Sequence, residues 1–421
     1  MSEDSPEQLA PEATPLLKSR IPYKLIENSN DLAIATAVIS ESTKPIAVDA
    51  ERASGFRYGQ KAYLVQICVE ATAIYLVDPV AQYSYESWQE FVKVVSAKPW
   101  IIHAASQDIP CLNEIGIRPT KVLDTELGSR ILGLPRVSLG TITEHYLGLK
   151  LAKEHSAVDW SERPLKVDWL EYAALDVDVL HELWEFVETD LVSNSKLEIA
   201  LQEFDNLVNF APKPTKIDRW RSLTGLHEIK DARSLTIAKS MWDARENLAI
   251  EKDIAPGRLI PDLAIVAAVK AMPKTRSELS SLRSFTGRAS RTFIDTWWDA
   301  FMSGNTTKDL VELRPKATGI PNHRNWPLKF PEANARLLAC KEVMAQLSEA
   351  LKIPAENILS PDTIRALCFE PPENISPDNV AEALLAKRAR PWQVEAVLLP
   401  MTEALQAEPT SSKEATEPVA D

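Results

Sequence analysis

Strand signals crowd the first third of this chain and vanish after about Asp205, beyond which only helical periodicity remains. Short β-branched runs bounded by turn residues need sheet partners, whereas long amphipathic stretches bury one face against other helices. The runs are Pro45-Ile46-Ala47-Val48-Asp49, Tyr63-Leu64-Val65-Gln66-Ile67-Cys68-Val69, Ala73-Ile74-Tyr75-Leu76-Val77, Pro99-Trp100-Ile101-Ile102-His103 and Lys121-Val122-Leu123-Asp124. Helical patterns fall at about 85–97, 107–115, 138–147 and 168–189. Strands first, then strands alternating with helices, predict a mixed sheet flanked by helices rather than an all-parallel one. The predicted fold is therefore α/β for the first half, followed by an all-α half.

Pro212-Lys213-Pro214 reads as the linker between the halves. Behind it lies an internal repeat. Ala255-Pro256-Gly257-Arg258-Leu259-Ile260-Pro261-Asp262 is echoed by Ile353-Pro354-Ala355-Glu356-Asn357-Ile358-Leu359-Ser360-Pro361-Asp362. Each copy follows an amphipathic helix and precedes an apolar one, with Asp262 and Asp362 suited to an N-cap or first-turn position. Two copies of one small helical module are expected. Residues 1–20 and 406–421 are rich in Glu, Pro, Ser and Ala with little periodicity, and are read as disordered tails. The first folded segment is expected to open near Tyr23.

Bulk properties narrow the function classes. No apolar run reaches the roughly 18 residues that span a bilayer, and the acidic N-terminus lacks the apolar stretch of a secretory signal. Cys68, Cys111, Cys340 and Cys368 have no metal-like spacing and are read as buried thiols, which implies a cytoplasmic protein. The net charge of −13 argues against a nucleic-acid partner at first sight. Between Lys213 and Lys316, however, Lys and Arg outnumber Asp and Glu by 19 to 13. That asymmetry suits a basic binding module behind an acidic body. Arg219-Trp220-Arg221, Lys274-Thr275-Arg276, Arg283, Arg288-Ala289-Ser290-Arg291, Lys387-Arg388-Ala389-Arg390 and Trp392 supply cations interleaved with aromatics. Such residues grip single strands, or equally line a solvated helical face. Trp297 and Trp298 are expected partly in the core of the helical half.

The chemistry sits in three acidic segments. Asp49 and Glu51 are two apart on a strand and point to one face. Two carboxylates on one face repel unless they are solvated or hold a cation. Asp108 falls at the start of a helix, where a bland reading makes it a complement to the helix dipole. Tyr172 and Asp176 are four apart and share a helix face. Much of that helix looks buried, and a buried carboxylate needs a partner that a metal would supply. Asp178, two further on, is predicted to lie round the helix and face solvent. His103 is read as a core or strand-end histidine rather than a ligand.

In this order and context, Val48-Asp49-Ala50-Glu51, His103-Ala104-Ala105-Ser106-Gln107-Asp108-Ile109 and Tyr172-Ala173-Ala174-Leu175-Asp176-Val177 resemble the three exonuclease motifs of the DEDD superfamily. The tyrosine places the resemblance in that superfamily's tyrosine branch, nearest the ribonuclease D family. The likeness covers roughly residues 21 to 205. The helices near 235–305 are similar to the HRDC module found in helicases and ribonuclease D, and those near 335–405 are similar more loosely. The resemblance implies a ribonuclease-H-like exonuclease domain at 21–210, an HRDC-like domain at 211–320 and a second, divergent one at 321–405. Ala50 stands where the family often has Thr. Arg52 stands where it often has an aromatic, which removes a stacking surface at the terminal base.

What the resemblance implies for chemistry is specific. Asp49, Glu51, Asp108 and Asp176 would hold two divalent cations, Mg²⁺ or Mn²⁺. Asp49 would bridge them, Glu51 and Asp176 would complete one site, and Asp108 would serve the other partly through water. Tyr172 would orient the attacking water. The implied activity is 3′→5′ hydrolysis of RNA from a free 3′ end, releasing nucleoside monophosphates, with tRNA precursors as the expected substrate. The alternatives are a DNA 3′→5′ exonuclease of the same superfamily and a non-catalytic RNA-binding protein. Oligomeric state is not legible in the sequence.

Overall fold

A computed structural model describes residues 13–152, 158–212, 217–285, 287–314 and 319–409. The strands are β1 (Thr14–Leu16), β2 (Tyr23–Ile26), β3 (Ile46–Arg52), β4 (Ala62–Val69), β5 (Ala73–Val77), β6 (Pro99–Ile102), β7 (Lys121–Asp124) and β8 (Leu149–Leu151). Six of them form one mixed sheet in the order β2-β5-β4-β3-β6-β7. β4 runs antiparallel to its neighbours β3 and β5, while β2 joins β5, β6 joins β3 and β7 joins β6 in parallel. Every residue of β4 is buried, as expected for a run that is apolar on both faces but for Gln66. Helices cover the sheet, including Val167–Asp178, which packs against β3, β4 and β5. This is the α/β arrangement the sequence implied, and the described part of the chain beyond residue 208 is helical.

Two expectations are corrected by the N-terminal segment. Residues 14–20 are not a disordered tail: β1 pairs in parallel with β8, Thr14 opposite Leu149. Asp178 does not face solvent but is 1% exposed. One correction causes the other. Asp178 accepts hydrogen bonds from Ser19 Oγ and from the backbone N–H groups of Arg20 and Ile21, and it pairs with the Arg20 guanidinium. Glu171, on the same helix, accepts from Ser19 N at 2.6 Å. The buried carboxylate thus ties the incoming chain to the helix. Residues 1–12 and 410–421 lie outside the described residues, as does most of the expected linker. The helical pattern at 168–189 is two helices, Val167–Asp178 and Leu180–Ser193, joined at Val179.

The helical repeat is visible element by element. A 21-residue helix, Ala232–Lys252, ends on left-handed Asp253 and leads through Pro256–Leu259 into Asp262–Ala271. A second 21-residue helix, Pro331–Leu351, ends on left-handed Lys352 and leads through Ala355–Ile358 into Pro361–Phe369. Asp262 and Asp362 sit in first turns, which suits the helix dipole. The two copies are packed differently. Trp220, Met241, Ile265, Trp297 and Phe301 belong to a core of their own, whereas Trp326, Leu337, Leu367 and Val397 continue the core of the α/β domain. Glu203 fastens that continuation, accepting from Arg390 Nε and Nη2 and from Trp392 Nε1. Trp220, Trp297 and Trp392 are buried and cannot stack on bases. The four cysteines are buried and free.

Candidate active site

β3 carries Asp49 and Glu51 on the sheet face that Val167–Asp178 covers. That helix brings Asp176 to them. One carboxylate oxygen from each of Asp49, Glu51 and Asp176 lies within 4.8 Å of the other two. Asp108 is outside this trio but close enough that its charge bears on Glu51, and those of Asp49 and Asp176 bear on it. It is the N-cap residue of Ile109–Glu114, yet its side chain makes no capping hydrogen bond.

The electrostatics match the crowding. Burial and its repulsive neighbours hold Glu51 well above the ordinary carboxylate range. Burial and Asp49 do the same to Asp108 and Asp176. Burial pushes Asp49 up to about 6, against the pull of the Ala50 N–H and of Arg52. Arg52, the last residue of β3, also favours the ionised forms of Glu51 and Asp108. Tyr172 is hydrogen-bonded to Asp176, one turn away. Burial and the acidic cluster raise its hydroxyl, so it stays protonated and acts as a donor. A cleft of about 180 Å³ beside Tyr172 is walled by Leu17, Lys18, Ala152 and Leu175.

Hard oxygen ligands converging from two elements, each reluctant to ionise beside the others, are what a divalent cation relieves. The donor set fits such an ion. One structural detail agrees: Gln66, fully buried in register opposite Asp49, has an amide with no hydrogen-bond partner among the described residues.

Two acids that the sequence did not mark as site residues hold its elements in place. Asp178 anchors the helix of Tyr172 and Asp176, as described above. Asp124 accepts from the N–H groups of Ala104 and Ala105 on one side and of Glu126 and Leu127 on the other. It therefore caps the helix Thr125–Leu132 and holds the turn that presents Asp108. The run Asp124-Thr125-Glu126 followed by apolar residues and Gly133 is a legible helix-start signal, but nothing local shows what else the cap would hold. His103 bonds Thr125 Oγ1 at 3.0 Å, and burial lowers it to about 4, so it is a neutral packing group.

A third contact ties the site to the first helical module. Asp253 accepts from Tyr58 N and Gly59 N at 3.2 Å, Ala255 N donates to Phe56 O, and Arg258 lies over the Phe56 ring. The connection between β3 and β4, which begins just past Glu51, is thus held by that module.

Comparison with known proteins agrees with this architecture. Residues 23–191 match the family described as 3′-5′ exonuclease, 234–300 the HRDC domain, and 319–405 the 3′ to 5′ exonuclease C-terminal domain. Ribonuclease D of Bartonella henselae is 27% identical over 67% of this chain and 67% of its own length. Ribonuclease D of Escherichia coli is 25% identical over 82% of this chain and 89% of its own. This chain belongs to the ribonuclease D family. Its α/β half is the family's 3′-5′ exonuclease domain. A protein from Bifidobacterium adolescentis superposes with a TM-score of 0.83 at 32% identity, covering 94% of this chain and 100% of its own. The E. coli ribonuclease D structure superposes with a TM-score of 0.62 at 24% identity over 87% of this chain, 98% of its own, and shows the fold to be shared. The region expected as a second HRDC-like copy matches the family's own C-terminal domain, in keeping with its fusion to the catalytic core. Among the described residues no helix is long and apolar enough to cross a membrane.

Proposed function

We propose that this ribonuclease D family member trims structured RNA, tRNA precursors in particular, from the 3′ end by two-metal hydrolysis, with Asp49, Glu51, Asp108, Tyr172 and Asp176 as its catalytic residues. The convergence of Asp49, Glu51 and Asp176 within 4.8 Å carries the reading. Asp49, Glu51 and Asp176 would hold the ions, with Asp108 contributing from outside the trio. Bound there, Mg²⁺ or Mn²⁺ supplies an activated water and compensates charge on the leaving 3′ oxygen. Tyr172, kept protonated, orients the attacking water through its hydroxyl. The helical modules of residues 211–320 and 321–405 hold the RNA, with the Asp253 contact keeping the first of them against the active-site strand connection. A cytoplasmic enzyme is supported by the four free, buried thiols.

The test is Asp49→Asn with a 3′-extended tRNA and matched RNA and DNA oligonucleotides. The substitution is expected to abolish release of monophosphates while the protein stays folded. Undiminished activity would overturn the metal-site assignment. Equal consumption of DNA and RNA by the unmodified enzyme would overturn the RNA assignment.

A further inference from the structure

Gln66 is 0% exposed, and neither its Oε1 nor its Nε2 has a hydrogen-bond partner among the described residues. Every other buried side chain in this condition has a single orphaned atom; Gln66 has both ends of an amide. A buried amide with neither end satisfied is costly, and native proteins keep such groups rarely and for a reason. Its position supplies one. β3 and β4 are antiparallel, with Asp49 directly opposite Gln66. Directly opposed residues project from the same face with Cβ atoms about 4.5–5.5 Å apart. Gln66 therefore lies beside Asp49 on one sheet face, on the strand next to β3, with the helix that carries Asp176 packed against both strands.

We propose that Gln66 is a positioning residue of the cation site, its amide reserved for the Asp49 carboxylate and for the solvent ordered with a bound ion. The inference rests on the divalent-cation reading of that site. The chemistry suits it. A carboxylate that ligates a cation is oriented by hydrogen bonds to its remaining oxygen lone pairs, and those partners shape affinity nearly as much as the ligands do. An amide brings a donor for the carboxylate and an acceptor for water without adding charge to a cluster already crowded with negative groups. Asp49 is the ligand whose place bears on the whole cluster, because its charge acts on Glu51, Asp108 and Asp176 alike. Its neighbours on the same face of β4, Leu64 and Cys68, are hydrophobic and fully buried, so packing on that face does not call for a polar residue.

The test separates positioning from packing. Gln66→Met keeps length and volume and removes both hydrogen-bonding ends; Gln66→Leu is a second apolar variant. The full-length proteins are stripped with chelator, their thermal unfolding is measured, and Mn²⁺ binding is followed by calorimetry without RNA. Expected is a metal-free melting temperature equal to or above that of the unmodified protein, with Mn²⁺ affinity lowered by about 10- to 100-fold. Unchanged affinity in a variant that melts normally would overturn the proposal. So would a parallel loss of metal-free stability and affinity in both variants, which would make Gln66 a packing residue. If the unmodified protein itself binds no Mn²⁺, the cation reading fails, and that outcome is distinct from a failure confined to Gln66.

Discussion

Replacing Asp178 with Asn removes one charge and one acceptor oxygen at nearly constant volume. In the native protein Oδ2 accepts from Ser19 Oγ at 2.9 Å, Arg20 N at 2.7 Å and Ile21 N at 3.1 Å. Oδ1 accepts from Arg20 Nε at 2.7 Å and faces Nη2 at 2.6 Å. All of these partners are donors, so an Asn in either orientation turns its NH₂ against at least two of them. Hydrogen bonds to charged groups contribute about 1.5–3 kcal/mol each, which bounds the loss at about 3–6 kcal/mol. The Arg20 side chain is 36% exposed and recovers water when released. That lowers the figure to about 2–4 kcal/mol. The cost falls on the attachment of residues 14–21 to the helix of Tyr172 and Asp176. Lys18 and Arg20 are the first tryptic sites in the chain. With local opening in rapid equilibrium, cleavage after Lys18 should accelerate by roughly 30- to 700-fold, tracking the opening free energy. Exonuclease turnover should fall with it, because the freed helix end carries two active-site groups. An unchanged cleavage rate at Lys18 would refute the claim that Asp178 holds the strap.

Proton and metal should compete at the acidic cluster. Asp49 is raised to about 6, and Glu51, Asp108 and Asp176 well above their ordinary values, so ionising them costs the metal-free protein. With folded values above unfolded ones, metal-free stability should decline as pH rises through about 6, while Mn²⁺ affinity rises. Melting curves with and without chelator should therefore diverge more at pH 8 than at pH 5.5, and an equal gap at both would contradict the shifts. In the first helical module, Gly304→Ala would place a Cβ 2.6 Å from Ile237 Cα and 3.0 Å from Thr236 O, both backbone atoms. Helix propensity favours Ala by about 1 kcal/mol, and a rigid overlap with backbone atoms falls at the upper end of overpacking costs, about 2–3 kcal/mol. A net loss of about 1–2 kcal/mol in thermal unfolding is expected, and a melting temperature equal to or higher than that of the unmodified protein would contradict it.

The parts of the fold legible in the sequence are those whose signal is local. β3, β4, β5, β6 and β7 fall within a few residues of their apolar runs, because each is bounded by turn chemistry. The repeated Pro-Asp junctions gave the two helical modules for the same reason. β1, β2 and β8 were not legible. Each has three or four residues with a polar one among them, and each exists because a partner strand lies beside it. The side on which Asp178 ends up was likewise beyond periodicity, which orders residues about a helix's own axis. It carries no news of a segment more than 150 residues earlier returning to cover the far face.

The acids themselves show what sequence spacing lacks and geometry provides. Asp124 and Asp178 have the same local credentials as Asp49, Asp108 and Asp176: each stands within or at the end of a strand or helix, in an apolar context. They differ in how their oxygens are occupied. Asp124 accepts four backbone N–H bonds, and Asp178 two backbone N–H bonds, a hydroxyl and a guanidinium. Among the described residues, the carboxylates of Glu51 and Asp108 accept no hydrogen bond, and burial and like charge dominate their surroundings. A buried carboxylate whose oxygens are taken up by donors is committed to building structure, even where burial still raises it, as it raises Asp124 to about 6. Buried carboxylates that face one another, short of donors, are stable as ions only with a cation among them. That distinction, rather than the presence of five residues of the right type, is what separates the acids that hold the fold from those that would do the chemistry.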